Sequence, residues 1–178
     1  MQKFHKYQEE NGKELEAYKY LTKWHYVALR EMIQLEDFKN DIDWIQERLS
    51  FSVTPKDIQE ALNFLVEYNF IEKSGKGKFR VKDKIIDCFD GIYRLSLGEF
   101  YKQVYALAIE SIDSVPREER LLLGHTFAVS NESYNKISEV LNEALSKIRD
   151  IEKSDFKKDR VYQVSFAAFP MTKKGIIS

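Results

Sequence analysis

Cysteine occurs once, at Cys88, so no disulfide can close within the chain. No apolar run approaches the roughly 20 residues needed to span a bilayer, and the charged start and apolar stretch of a signal peptide are missing. Charge of one sign is also lacking. Against 29 acidic residues stand 28 basic ones, and the resulting −1 provides no global field to gather nucleic acid or an anionic membrane. Any such contact needs a local patch. Together these absences imply a soluble cytoplasmic protein with no membrane attachment.

Histidine is scarce too. His5, His25 and His125 have no cysteine or acid at metal-ligand spacing, and neither Gly-x-Ser-x-Gly nor another nucleophile signature is present. His25 shares a helix face with apolar residues and His125 lies mid-strand, so both read as packed histidines, while Cys88 reads as a small buried apolar residue. The pairs Glu9-Glu10 and Glu118-Glu119 fall in solvated stretches. Ser74-Gly75-Lys76-Gly77-Lys78 lacks the spacer and Lys-Ser/Thr pair of a phosphate loop, and a hairpin turn explains it better. No catalytic residue, metal site or cofactor is nominated, and the expectation is a protein that is not an enzyme.

What the chain does have is apolar material. At 43% hydrophobic and 13% aromatic, its 178 residues are enough to pack one large domain or two small ones. The most informative stretch runs from Asp41 to Lys82. Ile42, Ile45 and Leu49 share one helical face, with Trp44 beside them. Ser50 to Val53 breaks that pattern, and Thr54-Pro55 opens a second helix with a capping side chain and a proline at the first helical position. Ile58, Ala61, Leu62 and Leu65 form its inward stripe. Phe70-Ile71 begins an extended segment, Ser74 to Gly77 can turn tightly, and Phe79 and Val81 then alternate with Lys78, Arg80 and Lys82. Helix, turn, helix and a basic hairpin in that order predict a winged helix-turn-helix.

On either side the pattern is plainer. Residues 1–17 read as a mixed-charge arm with a break at Asn11-Gly12. From Leu15 a helix of about five turns carries Leu21, Trp24, Ala28, Met32 and Leu35, the back wall of a winged domain over 18–84. Five acids between Glu36 and Glu47 face a single lysine, and they complement the start of the first helix of the pair. An apolar connector over 85–95 leads to a module over 96–172. There, Ser96 to Glu99 fits a capping box for a helix that stops before Pro116. Leu121 to Val129 alternates like a strand covered on both faces. Ser130-Asn131 caps a helix with Tyr134, Ile137, Val140, Leu141, Leu145 and Ile148 inward, and Val161 to Phe169 reads as a second strand before a tail over 173–178. The fold class predicted is α+β, a winged helix-turn-helix followed by a small αβαβ module for dimerisation or sensing. Two strands alone make a marginal sheet, so either the hairpin or a second copy of the chain must supply partners.

The candidate contacts to nucleic acid follow from charge. Lys73 to Lys84 holds six cations and one acid, a local +5, and the hairpin residues Lys73, Lys76, Lys78 and Arg80 could lie along phosphates. On the second helix the base-reading candidates are Thr54, Lys56, Gln59 and Asn63, on an element whose Asp57, Glu60 and Glu67 outweigh its one lysine. The plain alternative for the hairpin is a solvated edge guarded by lysines.

Three stretches together carry a resemblance: YLTKWHYVALRE from Tyr20 to Glu31, the segment from Trp44 to Val81, and RVYQVSFAAFPMTK from Arg160 to Lys173. They resemble a poorly characterised bacterial family of proposed transcriptional regulators, in which a winged-helix half precedes a domain of unknown function. Longer members begin with an additional helix-turn-helix region that has no counterpart here. The resemblance implies cytoplasmic, regulator-like, non-enzymatic behaviour with no catalytic residues to carry over. The first expectation is thus a transcriptional regulator binding DNA through its wing as a homodimer. Charge neutrality favours its rival, a winged-helix module that binds a protein partner in signalling and no DNA.

Overall fold

A computed structural model describes residues 18–75, 78–82 and 90–173, with side chains described from residue 95 onward in the last segment. The chain is α+β, helices with one small two-stranded sheet, and it divides into two compact units. One comprises Met1–Leu121 with Lys158–Val161, the other Leu122–Lys157 with Tyr162–Ser178.

In the first unit a helical turn over 18–21 leads to α1 (Trp24–Met32), α2 (Ile42–Arg48) and α3 (Pro55–Glu67). The caps explain two of these starts. Asp41 accepts the Trp44 N–H at 2.8 Å to open α2, and Thr54 accepts the Asp57 N–H at 3.1 Å ahead of Pro55 to open α3. Between the two helices Gln46 Nε2 donates to the Val53 carbonyl at 2.8 Å, which holds the turn against α2. The end of α3 is equally local. Asn69 takes φ 58°, Phe70 N–H reaches back to Leu65 O at 2.9 Å and Asn69 N–H to Val66 O at 3.1 Å. That pair of bonds is a Schellman stop, which needs a residue tolerant of left-handed backbone.

The stop launches β1 (Ile71–Ser74), which pairs antiparallel with β2 (Lys78–Val81) in the register Ile71 to Val81, Glu72 to Arg80, Lys73 to Phe79 and Ser74 to Lys78. Lys82 N–H closes the hairpin base on Phe70 O, and Arg30 from α1 donates to Lys82 O, both at 2.9 Å. The core lies under these elements. Leu29, Ile45, Ile58 and Leu65 are fully enclosed, and Phe70 stacks on Tyr20 at 4.3 Å between ring centres and on Phe64 at 5.9 Å. The helix pair and hairpin expected from the sequence are therefore present with their inward stripes.

Three expectations are corrected in detail. The five-turn helix from Leu15 is interrupted at Thr22-Lys23. The groups freed by the break are held from α4 (Asp90–Ser114), where Gln103 Oε1 accepts Trp24 N–H at 3.0 Å and Nε2 donates to Thr22 O at 2.7 Å. Ser96 is no cap. It lies fully buried inside α4, and Glu99 pairs with Lys102 instead of reaching back, because a spacing of three also suits two neighbours on one helix face. The apolar connector falls partly on 83–89, outside the described residues, as do the arm over 1–17, Lys76, Cys88, His5 and the tail beyond 173. After α4, a single 3-10 turn over Arg117–Glu119 follows Pro116, and residues 158–161 return to this unit. There Glu36 N–H meets Lys158 O and Arg48 Nη2 meets Asp159 O, each at 3.0 Å.

The second unit holds the remaining correction. It contains α5 (Asn131–Ser154), capped by Ser130 as expected, but the segments 122–130 and 162–170 carry no strand. A strand is defined by its ladder, and among the described residues no partner strand is hydrogen-bonded to either segment. The expected αβαβ module thus shows its helices without a sheet.

Candidate functional site

The outer face of α3 and the hairpin beside it form a shaped surface. A groove of about 600 Å³ runs between the start of α2, the exposed side of α3 and the sheet. Its floor is apolar, from Ile42, Leu62, Val66 and Phe79, and its rim carries Asp41, Asp43 and Glu67 against one cation, Lys73. Spacing places it: Gln59, Leu62, Asn63 and Val66 recur at three, four and seven residues, so they share one side of α3.

The candidate contacts separate into groups. Gln59, Asn63 and Lys73 all line the groove. Thr54 and Lys56 stand at the start of α3, outside its lining. Lys78 and Arg80 lie on the opposite face of the hairpin from Lys73, because the register sets Lys73 beside the half-buried Phe79 and successive strand residues alternate. The sequence-level picture of one basic face therefore holds for Lys78, Arg80 and Lys82 but not for Lys73. Lys82 is neutralised by Glu72 at 3.1 Å, whereas Lys78 and Arg80 form no ion pair among the described residues.

On α3 the candidate readers are engaged within the helix itself. Thr54 Oγ1 donates to Asp57 Oδ2 at 2.6 Å besides capping its N–H. Gln59 Nε2 donates to Asn63 Oδ1 at 2.9 Å. Lys56 lies 3.8 Å from Glu60, and Lys23 approaches Asp57 and Glu60 at 3.9 Å each. These exposed pairs are weak individually. Their shared effect is to turn amide, hydroxyl and ammonium groups toward neighbouring side chains.

Titration reflects the same layout. The Thr54 hydroxyl holds the Asp57 carboxyl below the usual range against the opposing pull of desolvation, with Lys23 adding to the lowering. Burial, reinforced by Lys23, lowers His25 below its ordinary value, although Asp57 and Glu60 pull the other way. Its Nε2 is buried without a hydrogen-bond partner among the described residues, between edge contacts to Trp24 and Tyr26. Burial also raises the Tyr26 hydroxyl. His125 stands beside Phe127 on an exposed segment. Among the described residues no three His, Cys, Asp or Glu side chains converge to hold a metal ion, and no helix is long and apolar enough to cross a membrane.

Sequence reasoning missed the groove. Asp41 and Asp43 were legible only as complements to a helix dipole, and Phe79 only as an inward strand residue. The one available signal was the mixed polar and apolar series Gln59, Leu62, Asn63, Val66 on a single helix side.

A family model described as "Domain of unknown function (DUF4423)" matches residues 4–171. No curated protein and no solved structure matches the chain.

Proposed function

The chain belongs to the DUF4423 family of unknown function, and from that premise and the surface above we propose that it is a regulatory winged-helix protein whose groove docks a protein segment. The observation that carries this reading is the combination in one groove of an apolar floor with an acidic rim. A segment bearing two or three apolar anchors flanked by Lys or Arg complements both, and anchors in a concave site supply most of the affinity of such contacts. Duplex DNA fits the same place poorly. Asp41, Asp43 and Glu67 would face phosphate, and the polar readers on α3 would have to break existing contacts before reaching a base edge.

A second reading, a transcriptional regulator binding DNA, is favoured by one observation: Lys78 and Arg80 share a hairpin face and form no ion pair among the described residues, the Glu72 carboxylate across from Arg80 being held by Lys82. They would give two phosphate contacts, which predicts about a 12-fold loss of affinity between ~50 and ~200 mM salt. The two readings separate in one set of titrations. The chain would be mixed with a labelled duplex at both salt concentrations, and with a synthetic peptide of Leu and Phe anchors flanked by lysines. The protein reading expects peptide binding that Asp43→Lys with Glu67→Lys weakens about tenfold, roughly 1.4 kcal/mol, and no salt-sensitive duplex binding. Duplex binding that is lost in Lys78→Glu with Arg80→Glu, without peptide binding, would overturn it in favour of DNA.

A further inference from the structure

We propose that the second unit is one half of a sheet completed by a second copy of this chain, with segments 122–129 and 162–169 as its strands. The inference is independent of what the groove binds. No described residue of this unit is buried, although α5 runs for 24 residues with an apolar stripe. Six aromatic side chains, Phe127, Tyr134, Phe156, Tyr162, Phe166 and Phe169, are between 36% and 89% exposed. A unit that encloses nothing has no hydrophobic term to offset the entropy of ordering it.

The backbone points the same way. No backbone–backbone hydrogen bond among the described residues involves 122–129 or 162–169, so two runs of chain without regular structure leave most of their backbone donors and acceptors unmade. Side chains meet two of the carbonyls, the Tyr134 hydroxyl donating to Ala168 O at 3.1 Å and Gln163 Nε2 to Val164 O at 3.0 Å. Unpaired, apolar and alternating segments are the template onto which another strand adds.

Two features select a second copy as the occupant. First, neither segment holds a charged residue, in a chain where 32% are charged. Strands that stay exposed for part of their life are guarded by lysine or inward charge, and a strand chosen by an unlike partner carries charges that set the pairing. These segments have neither, which suits pairing from synthesis onward with the one strand donor present at equal concentration. Second, the exposed apolar side chains amount to on the order of 1,000 Å² on each chain. Two such faces meeting about a two-fold axis give roughly 2,000 Å², the size at which interfaces become obligate.

Sedimentation equilibrium of the full chain from ~1 to ~100 μM tests this. The expected result is a closed dimer throughout the range, with slow amide exchange at 122–129 and 162–169. Leu123→Lys and Phe166→Lys should weaken self-association at least 100-fold. Ala128→Pro and Ala167→Pro should do likewise with almost no change of side chain, since proline removes the ladder donor. Trp24 and Trp44, both in the first unit, report by fluorescence that each variant remains folded there. A monomer at ~100 μM, oligomers that keep growing with concentration, a dimer unmoved by all four variants, or a monomer that binds neutral phosphatidylcholine vesicles would each overturn the proposal.

Discussion

Replacing Thr54 by alanine separates a helix cap from a ligand contact. The hydroxyl makes two bonds at the start of α3, accepting from Asp57 N–H at 3.1 Å and donating to the Asp57 carboxylate at 2.6 Å. Alanine removes both. Because the site is exposed, water can take over the freed N–H, which puts the cost near the middle of the range for lost caps, about 1 kcal/mol. With a urea slope of about 2 kcal/mol/M, the unfolding midpoint followed by tryptophan fluorescence should drop by about 0.5 M. Thr54→Ser keeps the oxygen and should stay within about 0.2 M of the parent. The pH dependence has a definite sign. Asp57 titrates below its ordinary 3.8, so the hydroxyl–carboxylate contribution is fully present above that value and is lost as pH falls through the lower folded value. The gap between parent and Thr54→Ala should therefore be widest at neutral pH and shrink below about pH 4. An unchanged midpoint together with weakened binding of duplex or peptide would refute the capping argument and return Thr54 to the list of contacts.

Three further expectations follow from the same core. Phe70→Ala removes the ring stacked between Tyr20 and Phe64 at a site 1% exposed, and should cost about 3–5 kcal/mol in urea unfolding; a loss under about 1 kcal/mol would mean the stack does not hold the hairpin to α3. At Asn69, glycine should stabilise by up to about 1 kcal/mol and valine should destabilise by about 1–2 kcal/mol, since only the latter strains the left-handed backbone; equal midpoints for the two would contradict a Schellman stop. His25 is held neutral by its surroundings and titrates below its ordinary 6.5, so its contribution is constant above that pH and declines as pH falls through the lower folded value. Unfolding midpoints should drop between pH 7 and 5, and less so in His25→Phe; an equal drop in that variant would place the acid sensitivity elsewhere.

How much was legible depended on how local the cause was. Thr54-Pro55 opening α3 and the alternation of Phe79 and Val81 with cations are written within a few residues, and each element stands where the pattern placed it. The break at Thr22-Lys23 was not legible because its stabiliser, Gln103, is some 80 positions away in the chain. Ser96 misled because a capping box and an interior helix face share one spacing. The segments after Leu121 and Val161 show the converse. Their alternation is plain in the sequence, yet whether an alternating run becomes a strand depends on a hydrogen-bonded partner that the local pattern does not specify. At the groove, Gln59 and Asn63 were singled out for the right exposure and their mutual bond is local to α3, but the acids Asp41 and Asp43 facing them come from the packing of α2 against α3.

The Gln103 clasp carries one more implication. Its amide is neutral at every physiological pH, so neither acid nor salt loosens the joint between the long helix and the start of α1. Exchanging one nitrogen for oxygen, as hydrolysis of the amide to glutamate does, would leave the shape intact and keep the acceptor for Trp24. It would also set a negative charge against the Thr22 carbonyl, and an indifferent hinge pin would become one that unlatches as its new carboxyl ionises.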